Sequence, residues 1–313
     1  MVIKHIVISG GGPTGLMSYG AAKHLEQQGF WSHDTIETIY GTSIGSLLGA
    51  MLCLKHEWST LDDYIIKRPW EKVIADSLEV FELFSCKGMA KLKLLDDVMR
   101  PLLESKDLTL AITLSEFYEY SRISLHVFAV DLNTFKKVQL SHATHPAMPL
   151  MDAIKMSSCM PMLFQPIIRD GCCYIDGGIM VNYPLRECLE DTRCQPDEVL
   201  GLCNRWNNPN EGISDQSSLL EYLRFINLQL SRLVNTTAAA ATASSTDGVN
   251  EVICHVKPDI TPAEWFSIMS DSGQRLAWIN DGIAFAKEFL AKMSPSNTTS
   301  NDTEERKSQQ THN

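Results

Sequence analysis

The sequence lacks any hydrophobic run long enough to cross a bilayer, since no apolar stretch reaches the roughly 18 residues that a membrane span needs. Its start, residues 1–9, is too short and too mixed in polarity for a signal peptide and predicts a core strand instead. We therefore expect a cytoplasmic protein without an integral span, which either stays in solution or binds a membrane surface peripherally.

An excess of positive charge is lacking as well. The 313 residues include 27 Lys and Arg against 38 Asp and Glu, which gives a net charge of −11. An acidic chain is poorly suited to nucleic acid and to strong docking on anionic membranes. The charge does not exclude a neutral lipid as substrate. The length suits one large α/β domain or two modest ones, and the oligomeric state is not predicted.

Metal-binding patterns are also missing. Nine cysteines leave at least one unpaired, no two form a C-x-x-C pair, and none joins histidines at zinc spacing. The adjacent Cys172 and Cys173 cannot easily serve one site, and no EF-hand calcium loop is present. We expect reduced, mostly buried thiols, no cofactor, no metal and calcium-independent activity.

The first half of the chain alternates strand-like and helix-like segments, which predicts an α/β fold with parallel strands and helical crossovers. Strands are expected over 4–9, 36–40 and 123–131, and the last of these forms a hairpin with 136–140. Helices are expected over 16–28 and 46–54. Residues 63–103 are expected to be helical and peripheral, with breaks at Pro69 and Pro101.

The C-terminal part predicts strands over 199–203 and 251–256, followed by a helical region over 265–290 capped at Asp271-Ser272. Residues 217–234 carry apolar side chains at helical spacing. That helix is expected to pack on the core, the alternative being a lid or membrane-contact helix. The expected organisation is a single domain over 1–293, whose C-terminal helical part is 215–293, and a disordered polar tail over 294–313.

The most informative motif is Gly41-Thr42-Ser43-Ile44-Gly45, which follows a strand-like segment and precedes an apolar helix. A G-x-S-x-G pattern in this context is typical of a serine on a tight strand-to-helix turn. The flanking glycines let the turn close and leave the hydroxyl exposed to substrate. Ser43 is therefore a candidate nucleophile, although the pattern alone is a weak signal.

A glycine run, Gly10-Gly11-Gly12-Pro13-Thr14-Gly15, follows the first predicted strand. Such a run can direct several amide N–H groups into one small volume, for a phosphate or for the oxyanion of acyl transfer. A Walker loop requires Lys after its last glycine, where this chain has Leu16. The dinucleotide pattern G-x-G-x-x-G does match, but it would leave Ser43 unexplained. A glycine turn without any ligand is the remaining alternative.

The third motif is Asp176-Gly177-Gly178, which follows a short apolar run. Alone it is an ordinary turn. Together with the two preceding motifs, and with residues 154–161 (I-K-M-S-S-C-M-P) between them, it resembles the patatin-like phospholipase family in order and spacing. That family has, in chain order, G-G-G-x-R/K-G, then G-x-S-x-G, often I-x-A-S-x-A-x-P, and finally D-G-G or D-G-A. The resemblance covers about residues 4–203.

This resemblance implies a three-layer α/β/α sandwich with a mostly parallel central sheet, related to patatin and cytosolic phospholipase A2. It implies a lipid acyl hydrolase of the phospholipase A type that uses a Ser43–Asp176 dyad, with Gly10, Gly11 and Gly12 binding the oxyanion. Ester lipids at a membrane interface are then the expected substrates, and their class is not predicted. One departure is Thr14, which occupies the place of the family's Arg or Lys.

Three other functions are compatible with parts of the sequence. A Ser-His-Asp hydrolase could use one of four histidines, namely His126, His142, His145 and His255. An acyltransferase with G-x-S-x-G and a histidine would not require Asp176-Gly177-Gly178. A catalytically weak or inactive lipid-binding or regulatory protein on the same fold is the third, and Thr14 is the residue that favours it.

Overall fold

The computed structural model describes residues 2–75, 88–90, 92–206, 212–240, 247–256 and 262–293. An eight-stranded sheet lies at its centre, in the order β10-β9-β1-β2-β4-β8-β7, and β5 also pairs with β4. The strands of this sheet are β1 (His5–Ile8), β2 (Thr38–Thr42), β4 (Ser124–Asp131), β5 (Lys136–Leu140), β7 (Ile167–Arg169), β8 (Cys172–Asp176), β9 (Val199–Trp206) and β10 (Asn250–Val256). Two short strands, β3 (Gly88–Ala90) and β6 (Met162–Phe164), pair separately.

The helices in the described part are α1 (Gly15–Gln27), α2 (Ile44–Cys53), α3 (Trp58–Lys67), α4 (Trp70–Ala75), α5 (Lys93–Glu104), α6 (Leu114–Ser121), α7 (Leu150–Ser158), α8 (Leu185–Thr192), α9 (Leu219–Ala240), α10 (Pro262–Ser270) and α11 (Ser272–Met293). Short 3-10 turns lie at Gly12–Thr14, Gly177–Ile179 and Pro196–Glu198. None of the helices in this part of the chain is long and apolar enough to cross a membrane.

Both faces of the sheet are covered, as the burial of neighbouring strand residues demonstrates. In β1, Ile6 and Ile8 belong to the larger hydrophobic core, whereas Val7 belongs to a second core. In β2, Ile39 and Tyr40 divide between the two cores in the same way. Successive strand side chains point to opposite faces, so a core exists on each side. The architecture is the expected α/β/α sandwich with a mixed, mostly parallel sheet.

Two other strands, β2 and β8, pair with the same edge of β4 and end next to each other there. β5 pairs antiparallel with Val127–Asp131 and occupies one edge. β2 pairs with Ser124–Phe128 and β8 with Ala129–Asp131, so both must lie on the opposite edge. β2 runs parallel to β4 and β8 runs antiparallel, with Thr42 opposite Phe128 and Asp176 opposite Ala129. The carboxyl ends of β2 and β8 therefore meet head to head.

Most predicted elements are confirmed, with β2 displaced by two residues toward Ser43. The hairpin of β4 and β5 forms as expected. Asp271 caps α11, because its side chain accepts the Gln274 N–H at 2.7 Å. Pro69 separates α3 from α4, but Pro101 lies inside α5 and does not break it. The predicted disordered tail, 294–313, lies outside the described residues.

The prediction that residues 217–234 pack an apolar face on the core is wrong. The helix itself forms as α9. Its apolar side chains at Leu219, Leu223 and Leu230 are nevertheless exposed by 67%, 42% and 56%. Helical periodicity identifies one apolar face but carries no information about what covers it.

Candidate active site

Ser43 lies on a sharp turn between β2 and α2. Its backbone has φ 54° and ψ −124°, a conformation that non-glycine residues rarely adopt and that costs about 1–3 kcal/mol. Close packing around the turn explains the two flanking glycines. A Cβ on Gly41 would lie 2.4 Å from the Gly45 carbonyl, and one on Gly45 would lie 2.3 Å from the Ile8 carbonyl. The predicted serine turn is therefore present, and it holds Ser43 at the N-terminus of α2.

Ser157, at the end of α7, holds this turn in place. The Ser43 N–H donates to Ser157 Oγ at 2.8 Å, and Ser157 Oγ donates to the Phe128 carbonyl of β4 at 2.5 Å. Ser157 is fully buried. Its hydroxyl thus connects the backbone of Ser43 to the strand along which β2 and β8 meet. The sequence placed Ser157 within a motif, but no local pattern indicated this contact.

Replacing Ser157 with alanine should lower both stability and activity. The change leaves a buried N–H and a buried carbonyl without a partner, which costs about 2–4 kcal/mol of unfolding free energy. We expect kcat on an ester substrate to fall about tenfold because the Ser43 turn loosens. Ser18→Ala removes another fully buried hydroxyl, bonded to Asn204, and should lower stability while leaving kcat unchanged. Equal kcat in both variants would contradict the positioning role.

Asp176, the last residue of β8, brings a buried carboxyl group to this turn and accepts a hydrogen bond from the Ser43 side chain. It is 6% exposed and accepts the Gly178 N–H at 2.7 Å. Burial raises its pKa to about 6, and hydrogen bonds from the Gly178 backbone and the Ser43 side chain oppose this shift only in part. The two strand ends thus bring together the two residues that the sequence singled out. The group is ready to take up a proton near neutral pH.

Ser43 and Asp176 line one cavity of about 400 Å³. The walls are mostly hydrocarbon, and include Leu47, Leu48, Met51, Ile65, Leu95 and Leu163. One polar wall atom is unusual, because the Ser158 hydroxyl is buried and finds no hydrogen-bond partner among the residues that the structure describes. The space and its lining suit an apolar chain that carries a polar reacting group at the Ser43 end.

Of the three consecutive glycines at the start of the glycine loop, Gly10, Gly11 and Gly12, the last two lie at this cavity. Gly11 and Gly12 line it and have φ values of 150° and 59°, which favour glycine. Within the part of the chain that the structure describes, their N–H groups donate to no carbonyl or side chain. The Gly10 N–H already donates to the Asn182 carbonyl at 2.9 Å. The expectation that Gly10 offers an oxyanion donor therefore does not fit the geometry, and two candidate donors remain.

Thr14, the departure from the family pattern, is built into the same loop. It is fully buried, and its hydroxyl donates to the Gly11 carbonyl at 3.0 Å while its N–H donates there at 3.3 Å. A long cationic side chain could not make this compact contact. Thr14 thus fixes the loop from within, where the family's Arg or Lys would bring a charge.

The four candidate histidines lie elsewhere. His126 stacks on Tyr40 at 4.2 Å, and burial lowers its pKa to about 4. His142 stacks on Tyr118, His145 shares a hydrogen bond with Thr144, and His255 contacts Phe285 edge-on. No described residue that lines the cavity is a histidine. The same described ranges contain no group of three His, Cys, Asp or Glu that could hold a metal ion.

Polar residues of α9 complete the site, and sequence reasoning missed them. Ser231 Oγ and Asn235 Nδ2 donate to the Gly178 carbonyl at 2.8 and 3.0 Å. The Asn182 N–H donates to Asn235 Oδ1 at 2.9 Å. A signal was available, since Ser231 and Asn235 interrupt an apolar helix at a spacing of one turn. The helix is thereby attached to the turn that follows Asp176.

Comparisons with known proteins agree with this geometry. The uncharacterized protein R571 of Acanthamoeba polyphaga mimivirus is 25% identical over 210 residues. The matched region covers 67% of this chain and 68% of the viral protein. The probable lipid hydrolase 463L of Invertebrate iridescent virus 6 is 24% identical over 185 residues, or 58% of this chain and 62% of its own. The crystal structure of VipD from Legionella pneumophila matches with a TM-score of 0.54 and 14% identity, over 93% of this chain and 67% of that one.

The VipD likeness concerns the fold alone, because the identity is so low. The family model for patatin-like phospholipase matches residues 6–189, a range that contains the glycine loop, the Ser43 turn and Asp176. That match spans more than half of the chain and includes every motif on which the resemblance rests. The chain therefore belongs to the patatin-like phospholipase family.

Proposed function

We propose that this protein is a lipid acyl hydrolase of the phospholipase A type, with Ser43 as nucleophile and Asp176 as general base. The observation that carries the proposal is the meeting of two strand ends at one apolar cavity. One end presents a serine on a strained turn, and the other presents a buried carboxyl group whose pKa is raised to about 6. Family membership makes an ester lipid the natural substrate class.

In the first step Ser43 Oγ attacks the ester carbonyl carbon, and Asp176 takes the hydroxyl proton. An ordinary aspartate has a pKa near 3.8 and is a weak base for an alcohol. Burial brings the Asp176 pKa to about 6, closer to the working pH, which improves proton transfer. The developing charge forms in a cavity whose walls are mostly hydrocarbon, where the base and the donors act at a lower dielectric than in bulk water.

The oxyanion of the tetrahedral intermediate is assigned to the N–H groups of Gly11 and Gly12. Each well-placed donor of this kind contributes roughly 3–4 kcal/mol to lowering the barrier. The N-terminus of α2, directly after Ser43, adds a favourable dipole. Collapse of the intermediate expels the alcohol, which receives the proton from Asp176. Water, activated by the same carboxylate, then hydrolyses the acyl-enzyme and releases the fatty acid.

The pH dependence of activity should follow Asp176. The base form exists above its pKa, so kcat/KM on a non-ionising ester should fall about tenfold per pH unit on the acid side. The midpoint is expected near pH 6, where the buried carboxyl titrates. Initial rates from pH 4.5 to 8 in a constant-ionic-strength buffer measure it. A rate that stays level down to pH 4.5 would exclude Asp176 as the base.

The direct test of the proposed function combines turnover with covalent trapping. Purified protein is assayed on a chromogenic medium-chain acyl ester and on phospholipids. It is then treated with a fluorophosphonate, which phosphonylates activated serines, and the modified peptide is identified by mass spectrometry. We expect turnover together with a single adduct on Ser43. Protein that is folded but neither turns over nor reacts would favour a lipid-binding or regulatory role.

A further inference from the structure

Helix α9 (Leu219–Ala240) presents two different faces to its surroundings. One face lines the active-site cavity and consists of Asn227, Leu228, Ser231, Arg232 and Asn235. Ser231 and Asn235 attach this face to the Gly178 carbonyl, at 2.8 and 3.0 Å. This side of the helix is therefore part of the wall around the reacting groups.

The opposite face is apolar and exposed. Its side chains recur every three or four residues, so they form one stripe along the helix. Their exposed fractions are 67%, 47%, 42%, 36% and 56% for Leu219, Tyr222, Leu223, Ile226 and Leu230. Soluble proteins seldom expose so continuous an apolar strip unless it serves an interaction. A tyrosine within it is typical of groups that lie at the boundary between lipid and water.

We propose that this exposed stripe is the surface by which the protein lies on a neutral, zwitterionic phospholipid bilayer. Two observations favour a bilayer. The helix that carries the stripe is also a wall of the apolar cavity that Ser43 lines, so a bilayer on this surface would lie next to the site. The net charge of −11 opposes an anionic surface and leaves hydrophobic insertion as the driving force.

The coupling of the two faces gives the surface a consequence for the site. Ser231 and Asn235 donate to the carbonyl of Gly178, two residues after Asp176. Force or displacement applied to α9 by a bilayer therefore acts on the turn that follows the base. The binding part of the inference stands without catalysis, whereas delivery of lipid to Ser43 rests on the proposed function.

Binding is tested by co-sedimentation with sucrose-loaded phosphatidylcholine vesicles, using the full chain with Ser43→Ala so that the vesicles are not consumed. The variant is Leu219→Ser, Leu223→Ser and Leu230→Ser together, none of which lines the cavity. We expect its partition coefficient to fall about tenfold or more, because binding strength scales with inserted apolar area. Thermal unfolding confirms that it remains folded.

The matched control changes three equally exposed apolar residues that also lie away from the cavity. These are Leu132, Phe135 and Ile168, with exposures of 46%, 50% and 70%, each replaced by serine. This control should partition as the parent does. Equal loss in both triple variants, or a parent that does not sediment with vesicles, would overturn the proposal. Binding that rises severalfold with 20% anionic lipid would also overturn it, since a neutral surface would then not be the target.

Two further measurements separate the remaining explanations. Sedimentation velocity without lipid tests self-association, and a parent dimer that the α9 variant abolishes would assign the stripe to a second copy. Hydrolysis is measured in versions of these proteins that retain Ser43. The ratio of the hydrolysis rate on vesicles to that on a soluble ester should fall about tenfold in the α9 variant and stay constant in the control. Protein that binds vesicles but hydrolyses no ester would refute the proposed function and leave the binding surface intact.

Discussion

Replacing Ser43 with alanine will reduce kcat/KM on acyl esters by about 10³-fold or more while the protein stays folded. Among the described residues that line the cavity, Ser43 alone presents a hydroxyl on a strained turn, so no other described hydroxyl is placed to replace it as nucleophile. The Gly11 and Gly12 donors remain in the variant, so a small residual rate above that of water is expected. Steady-state assays and loss of the fluorophosphonate adduct measure the effect.

Ser158→Ala is the matched control for this prediction. Ser158 lines the same cavity, and its buried hydroxyl has no hydrogen-bond partner within the described part of the chain. Removing it should leave kcat/KM within about threefold and should leave stability unchanged or raised by up to about 1 kcal/mol, because an unsatisfied polar group is lost. If Ser158→Ala were as inactive as Ser43→Ala, the nucleophile would have to be reassigned.

Replacing Asp176 with asparagine will inactivate the protein and at the same time stabilise it at pH 8. Burial raises the folded-state pKa of this carboxyl to about 6, well above its usual value of 3.8. The folded state therefore holds the proton more tightly than the unfolded chain, and stability falls as pH rises through that interval. Above it, the charged carboxylate lies in an apolar site, at a cost that asparagine removes.

The expected gain is about 1–3 kcal/mol of unfolding free energy at pH 8, and it should shrink to a few tenths of a kcal/mol near pH 3.5, where the folded-state carboxyl is protonated and the unfolded one mostly so. Urea titrations of both proteins at the two pH values measure it. Asp131→Asn is a control whose stability change should have the opposite sign. Hydrogen bonds, of which the one from the Thr134 side chain has the largest effect, lower the Asp131 pKa. This control should lose stability at pH 8. A destabilised Asp176→Asn would show that the carboxylate is better solvated than its burial indicates.

The sequence was sufficient for the parts of the site that depend on local backbone geometry. The Ser43 turn and the glycine loop each follow from glycines at fixed offsets after a strand, because close packing or positive φ excludes other residues there. The head-to-head meeting of β2 and β8 could not be derived in this way. It depends on the register of both strands along β4, and only the family resemblance paired Ser43 with Asp176.

Long-range hydrogen bonds account for the other features of the site that the sequence did not predict. The donation of the Gly10 N–H to the Asn182 carbonyl and the support of Ser43 by Ser157 join distant segments, and no spacing rule reports them. The exposed stripe of α9 was misjudged for a different reason. A solvent-exposed face and a core-packed face have the same 3.6-residue period, so the sequence pattern alone cannot distinguish them.

The meeting of two strand ends on β4 has a consequence for how activity is gained during folding. The glycine loop, the Ser43 turn and α2 belong to one β–α–β–α unit at the start of the chain, in which β1 and β2 pair directly. Asp176 joins them only after a far longer segment closes and β8 pairs with β4, a step that contact order makes slow. In refolding, far-UV ellipticity should therefore recover before ester hydrolysis. Under the proposed Ser43–Asp176 mechanism, ester hydrolysis would then report completion of the sheet, because a chain in which β8 has not paired with β4 lacks its general base.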